Sequence, residues 1–159
     1  DLACLGLAEC DGIGNINVSK FGPRIAGCGG FVNITQNTQN VVFCGTFTTG
    51  KLKEEIKDGK LTIIQEGSVR KFVPSVDHIT FSGDYARKQG QHVYYITERA
   101  VFEMKEDGIH LTEIAPGIDL QKDVLDQMGF TPIMKDVKVM PEFIFKDELM
   151  GLKEMKANR

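Results

Sequence analysis

The sequence predicts an α/β domain built as an open sheet with an added antiparallel β-meander. Three observations support this prediction. A glycine-rich loop lies between a strand-like and a helix-like segment, as in the first half of a β-loop-α-β unit. Short strand-like segments divided by turns follow that unit. The length of 159 residues, with 42% hydrophobic and 26% charged residues, is typical of one soluble globular domain.

The first elements are predicted to be strands. Leu2 to Leu7 is an apolar run typical of a buried strand, and after a turn Ile13 to Ser19 alternates apolar and polar residues. Phe31 to Gln36 predicts a short helix. The β-branched and aromatic residues from Val41 to Thr48 then predict a central strand, which completes the unit.

The middle of the chain predicts the meander. Leu61 to Gln65, Val69 to Val73 and Ile79 to Phe81 are short strand candidates. The pairs Asp58-Gly59 and Glu66-Gly67 are typical of hairpin turns. We therefore expect antiparallel pairing in this region.

The last third combines strands with one longer helix. Val93 to Thr97 predicts a buried strand, and Val101 to Met104 predicts a hairpin with Ile109 to Ile114. Asp119 to Met128 carries apolar residues at helical spacing, which predicts a helix with Asp119 as its N-cap. We expect residues 146–159 to form a terminal helix or tail.

Composition excludes several classes of function. The formal net charge of −3 predicts neither a nucleic-acid nor an anionic-membrane surface. No apolar run approaches the roughly 18 to 20 residues of a transmembrane helix, and no secretory signal pattern is present, so we expect a cytoplasmic protein. The four cysteines and three histidines lack metal-ligand spacing, which predicts reduced thiols and no metal site.

The strongest local signal is the glycine loop, which we define as residues 21–31. Glycines admit positive φ and close approach of a ligand, and free N–H groups at a helix start favour anions. Lys20 and Arg24 add local positive charge. The loop therefore indicates either an oxyanion or phosphate site or a tight turn that packs a helix against a strand. It matches neither a Walker loop nor the dinucleotide-binding fingerprint.

Other reactive residues have ordinary structural interpretations. Cys28 could act as a nucleophile near a helix N-terminus, but a small residue in a crowded turn is the favoured interpretation. Glu98, Glu113 and Asp119 follow strand segments, where acid-base groups are often found. More often such residues cap helices or form ion pairs, and we favour structural roles for Glu113 and Asp119.

Several segments, in their order and spacing, form a more specific pattern: Asp1 to Ala8, Gly14 to Arg24, Gly27 to Ile34, Val42 to Thr48, Thr97 to Phe102 and Leu111 to Leu120. This pattern resembles the family I CoA-transferases, most closely the single-chain propionate and acetate (short-chain acyl) type. The match runs from residue 1 to about residue 145.

The resemblance implies a partial domain. Family members contain two open α/β domains of the NagB/RpiA-like type, and this chain resembles the C-terminal part of the second, β-subunit-like domain. Such enzymes move CoA from an acyl-CoA to a carboxylate through a glutamyl-CoA thioester. The nucleophilic glutamate lies in an upstream Glu-x-Gly motif that this sequence does not contain.

The resemblance also implies the site residues and the ligands. Gly29 and Gly30 correspond to backbone donors for the oxyanion, and Gly27, Cys28, Phe31, Lys20 and Arg24 to positions that bind substrate or CoA. Coenzyme A is a substrate, and no separate cofactor is expected. The expected partners are an acyl-CoA, a small carboxylate, the region that carries the glutamate, and further copies in a homo-oligomer.

Two alternatives stay open at this point. An acyl-CoA hydrolase of the same superfamily would pass the acyl group to water through the same covalent chemistry. A non-catalytic CoA-binding or assembly module would present the glycine loop to a partner without turnover.

Overall fold

The computed structural model describes residues 1–157, and within them the chain forms fourteen strands and three α-helices. The helices are α1 (Phe31–Asn37), α2 (Gly83–Lys88) and α3 (Leu152–Ala157). The strands are β1 (Leu2–Gly6), β2 (Glu9–Cys10), β3 (Ile16–Asn17), β4 (Lys20–Phe21), β5 (Arg24–Ile25), β6 (Asn40–Cys44), β7 (Thr48–Thr49), β8 (Lys53–Lys57), β9 (Lys60–Gln65), β10 (Val69–Arg70), β11 (His92–Ile96), β12 (Ala100–Lys105), β13 (Gly108–Ile114) and β14 (Lys138–Val139).

One mixed sheet organises the fold. Its six strands follow the order β1-β6-β11-β12-β13-β14. Strands β1, β6 and β11 are parallel, whereas β11, β12 and β13 form an antiparallel meander. Parallel neighbours need crossover connections, and the glycine loop with α1 forms the crossover between β1 and β6. The carboxyl ends of three parallel strands therefore meet at one edge of the sheet.

Aromatic side chains fill the core against this sheet. Phe43 of β6 is fully buried and packs edge-on against Phe81, with ring centroids 5.0 Å apart. Phe47 and Phe72 form a second stack at 4.7 Å. Burying an aromatic ring of this size contributes about 1.5–3 kcal/mol each. These two groups fix the segments that follow β6 on the sheet.

The predicted α/β class is confirmed, and so are several of its elements. Helix α1, strands β6 and β11, and the β12–β13 hairpin all lie where the sequence places them. Asp119 accepts a hydrogen bond from the Lys122 N–H at 2.7 Å, as an N-cap does. The meander is formed by β11, β12 and β13 within the main sheet.

The middle segments form antiparallel pairs, as predicted, but the three candidate strands do not pair with one another as a meander. Strand β9 pairs with β8, β10 pairs with β7, and the 79–81 segment makes only an isolated bridge from Phe81 to Ile16. Asp58 and Gly59 have φ values of 53° and 74°, so this turn closes a local hairpin. All five residues of β8 are exposed, and a strand without a buried face shows no alternating pattern in the sequence.

The structure also changes one predicted helix and adds a helix that the sequence did not predict. Residues Leu120–Val124 form a π-helix and Leu125–Gln127 a 3-10 turn in place of the regular helix predicted over 119–128. The wide turn coincides with complete burial of the Val124 side chain. Helix α2 was not predicted, because six residues that begin with glycine give almost no helical pattern.

The chain's last segment is described only in part. Helix α3 lies within the range 146–159 predicted as a terminal helix or tail, and residues 158 and 159 lie outside the described residues. The boundary at residue 145 stays a prediction. Among the described helices, none is both long enough and apolar enough to cross a membrane.

Candidate functional site

The glycine loop begins in the β4–β5 ribbon and ends at the first residue of α1. Every residue from 22 to 30 is exposed. Gly27 and Gly29 have φ values of 78° and 50°, in the left-handed region that favours glycine. A Cβ at either position would meet nothing within 4 Å, so backbone conformation and not crowding requires glycine there.

Hydrogen bonds anchor the loop but leave its tip free. The N–H groups of Ala26 and Gly27 both donate to the Ser19 carbonyl, at 2.8 and 3.1 Å. Among residues 1–157, the N–H groups of Gly29 and Gly30 donate no hydrogen bond. Helix α1 begins one residue later, without a side-chain cap. The loop therefore presents two unused donors beside a helix start, an arrangement suited to a developing oxyanion.

Two shallow cavities border the loop. The first, about 270 Å³, lies between Ile25, Cys28 and the 78–80 segment. The second, about 230 Å³, continues past Val32 to Tyr85. Val32, Ile79 and Thr80 line both cavities, so together they form one largely apolar groove. Gly27 and Cys28 of the glycine loop also line it.

A series of hydrogen-bonded side chains lies behind the loop, and the sequence did not predict it. Ser19 Oγ lies 2.8 Å from His78 Nδ1 and 2.7 Å from Thr80 Oγ1. Thr80 also accepts a hydrogen bond from the Val18 N–H at 3.1 Å. These contacts hold the residue whose carbonyl anchors the loop. His78 is 59 positions from Ser19, so no local signal could have paired them.

The remaining predicted site residues lie in three different environments. Lys20 forms an exposed ion pair with Asp77 at 3.5 Å, and Asp77 also accepts the Gly22 N–H. Arg24 is exposed and without an ion pair among the described residues. Phe31 is buried and stacks on Phe43 at 5.7 Å, so it anchors the start of α1. The roles predicted for these residues toward CoA stay predictions.

A second polar cluster lies at the end of β11. The fully buried Arg99 guanidinium bonds both Glu66 oxygens, with the shorter contact at 2.6 Å, and its Nε bonds Glu98 at 2.7 Å. It also lies over the Phe47 ring, 5.1 Å from the centroid. We call Arg99, Glu66 and Glu98 the Arg99 cluster. Glu98 therefore forms an ion pair, which is the structural role that the sequence offered beside acid-base chemistry.

The Arg99 cluster predicts a stability change at acidic pH. Burial acts to raise the pKa of Glu66, but hydrogen bonds from Arg99, Thr48 and the Gly67 N–H outweigh it and leave the pKa below its ordinary value of 4.5. The contribution of Glu66 to stability is therefore complete above pH 4.5 and is lost as pH falls through the lowered pKa.

We expect the urea midpoint of the wild-type chain to fall more steeply than that of Glu66→Gln below pH 4.5. Urea titrations from pH 7 to pH 3, followed by circular dichroism, measure this difference. Equal pH profiles would contradict the assigned role of the Glu66 carboxylate.

Comparison with known proteins finds CoA-transferases that are similar to this chain over part of their length. No protein-family model matches the chain. Acetate CoA-transferase YdiF of Escherichia coli strain K12 is 54% identical over 152 residues, which cover 95% of this chain and 29% of that protein. Caffeate CoA-transferase of Acetobacterium woodii is 52% identical over 158 residues, covering 96% of this chain and 30% of that protein.

The comparison with solved structures also finds a CoA-transferase. Acyl-CoA transferase YdiF from Escherichia coli O157:H7, crystallised in a thioester complex with CoA, has a TM-score of 0.93 at 54% identity and covers 95% of this chain and 30% of its own. The decarboxylase AibA/AibB has a TM-score of 0.66 at 18% identity, covers 99% of this chain and 56% of its own, and shows the fold alone.

The fold and the matches together show that the chain is similar to one segment of known CoA-transferases, which confirms the resemblance given by its motifs. The chain spans about 30% of the length of the curated relatives it matches.

Proposed function

We propose that this chain is the C-terminal segment of an enzyme that moves CoA from a short-chain acyl-CoA to acetate or a related acid. The acyl group would be acetyl, propionyl, acetoacetyl or similar. The free N–H groups of Gly29 and Gly30, which follow the groove-lining Cys28 in the chain, carry this proposal. The region with the nucleophilic glutamate would complete the site, in an enzyme that acts as a homo-oligomer.

The proposed chemistry proceeds in balanced steps. A glutamate carboxylate attacks the thioester carbonyl, the oxyanion forms, and CoA leaves as thiolate to give a mixed anhydride. The thiolate then attacks the glutamyl carbonyl, which releases the first carboxylate and leaves a glutamyl-CoA thioester. The acceptor acid reverses both steps and takes the CoA.

This segment would stabilise the oxyanions of those steps. Backbone donors need no side chain and are already oriented by the Ser19 anchor of the loop. Each preorganised donor typically lowers the barrier by about 3–4 kcal/mol. Arg24, exposed beside the loop, would attract the phosphates of CoA, and Lys20 would contribute if CoA displaced Asp77.

Covalent trapping tests the proposal in the complete protein. After incubation with acetyl-CoA and reduction by borohydride, peptide mass spectrometry should find one modified glutamate outside residues 1–159. With propionate present, propionyl-CoA should form in amounts matching the acetyl-CoA consumed. Release of only free CoA and acetate would favour the hydrolase alternative, and absence of both adduct and turnover would favour a binding module.

A further inference from the structure

Lys71 lies at the edge of the sheet where the parallel strands end. Its Nζ is 2.8 Å from the position that a Cβ would take on Gly45, the residue after β6. The Leu7 carbonyl, just beyond β1, is 3.0 Å from the same position. Only a residue without a side chain leaves room for the ammonium there. In open α/β sheets, ligands bind at this edge.

The Lys71 side chain is largely buried, and its ammonium has no partner among the described residues. The residue is 8% exposed, and its Nζ forms neither an ion pair nor a hydrogen bond with any residue between 1 and 157. Burial lowers the pKa of Lys71, and the nearby Glu98 only partly opposes this effect. An ammonium that is only partly solvated is stabilised when a counter-charge binds it.

Glu98 is the nearby carboxylate, but it forms no hydrogen bond with Lys71. One of its oxygens accepts from Arg99 Nε at 2.7 Å and the other from the Phe47 N–H at 2.7 Å. The Arg99 cluster therefore holds Glu98 near Lys71 but turned to other donors. Among residues 1–157, no carboxylate forms an ion pair with the Lys71 ammonium.

A cavity of about 360 Å³ gives access to this position. Lys71 lines it together with Leu7, Ala8, Phe21 and Thr49. The two other charged residues of its wall have their own partners: the Glu9 carboxylate accepts from Asn17 at 2.7 Å, and Arg70 donates to the Asp126 carbonyl at 2.8 Å. Phe21 is also the first residue of the glycine loop, so the cavity adjoins the loop at this position.

We propose that Lys71 binds a carboxylate that enters this cavity from outside the chain. The carboxylate comes either from the acceptor acid or from a glutamate in the remaining part of the protein. Its use in catalysis rests on the proposed function, whereas carboxylate binding by Lys71 does not. Lys71 would bind and orient this group by one charge-assisted hydrogen bond.

The test compares Lys71→Met and Lys71→Arg with Lys88→Met, an exposed lysine on α2, in the complete protein. Two quantities are measured: the rise in melting temperature with sodium acetate over sodium chloride, and the rate of thioester formation from acetyl-CoA without acceptor. Loss of a charge-assisted contact should weaken one of them about tenfold or more in Lys71→Met. Lys71→Arg keeps the charge and should retain part of the response.

Each outcome has a distinct meaning. Loss of the acetate response alone identifies the acceptor acid as the ligand, and slower thioester formation identifies the protein's own glutamate. If Lys71→Met matches Lys88→Met in both measurements, the proposal is overturned. If the wild-type protein forms no thioester but acetate stabilises it only when Lys71 is present, the carboxylate site stands and the transfer function falls.

Discussion

Replacing Gly30 with proline in the complete protein should slow formation of the glutamyl-CoA thioester by about 10²–10³-fold, the usual cost of one oxyanion donor. Proline removes the backbone N–H at this position. Gly30 has a φ of −83°, which proline can adopt, and its N–H donates to no residue between 1 and 157. The substitution therefore deletes a donor without breaking a hydrogen bond within the described chain.

Gly30→Ala is the matched comparison for this prediction, because alanine keeps the N–H. Its Cβ would meet only Ile34 Cδ1, at an ordinary distance of 3.5 Å. Proline also restricts Gly29, the residue before it, so both variants need unchanged melting temperatures for a fair comparison. Single-turnover mixing with acetyl-CoA measures the rates. Similar rates for the two variants would show that the Gly30 N–H does not act on the reacting oxygen.

Local signals in the sequence were sufficient for part of this site. Glycines, an adjacent strand and an apolar helix start lie within ten residues of one another, so the loop before Phe31 could be predicted from neighbouring positions alone. The free N–H groups of Gly29 and Gly30 follow from that local geometry. The same holds for the β12–β13 hairpin, whose Asp107-Gly108 turn is encoded in two adjacent residues.

The parts that were missed depend on residues distant in the chain. Arg99 contacts Glu66, which is 33 positions away in the chain, and Ser19 contacts His78, which is 59 positions away. Lys71 is ordinary in the sequence and becomes distinctive only because Gly45 makes room for it. Charge and hydropathy patterns report which face of an element is buried, but not which distant partner meets it. Such contacts can be identified only in the folded structure.

Replacing Arg99 with methionine should lower the free energy of unfolding of the chain by about 3–5 kcal/mol, because two carboxylates would lose their shared partner in a poorly solvated site. The Arg99 side chain is fully buried, whereas those of Glu66 and Glu98 are 26% and 14% exposed. Methionine fills similar volume and can still pack on Phe47, so the loss reports the charge more than the packing.

The triple variant Arg99→Met, Glu66→Gln, Glu98→Gln separates the two contributions. Neutral amides no longer need a cation, so the triple variant should recover a large part of the lost stability. Arg24→Met, at an exposed arginine without an ion pair among residues 1–157, should change stability by no more than about 0.5 kcal/mol. Urea unfolding at pH 7 measures all three. If the triple variant were as unstable as Arg99→Met alone, packing rather than uncompensated charge would explain the loss. Recovery would show that Arg99 stabilises the chain by neutralising the two carboxylates at the carboxyl edge of the sheet.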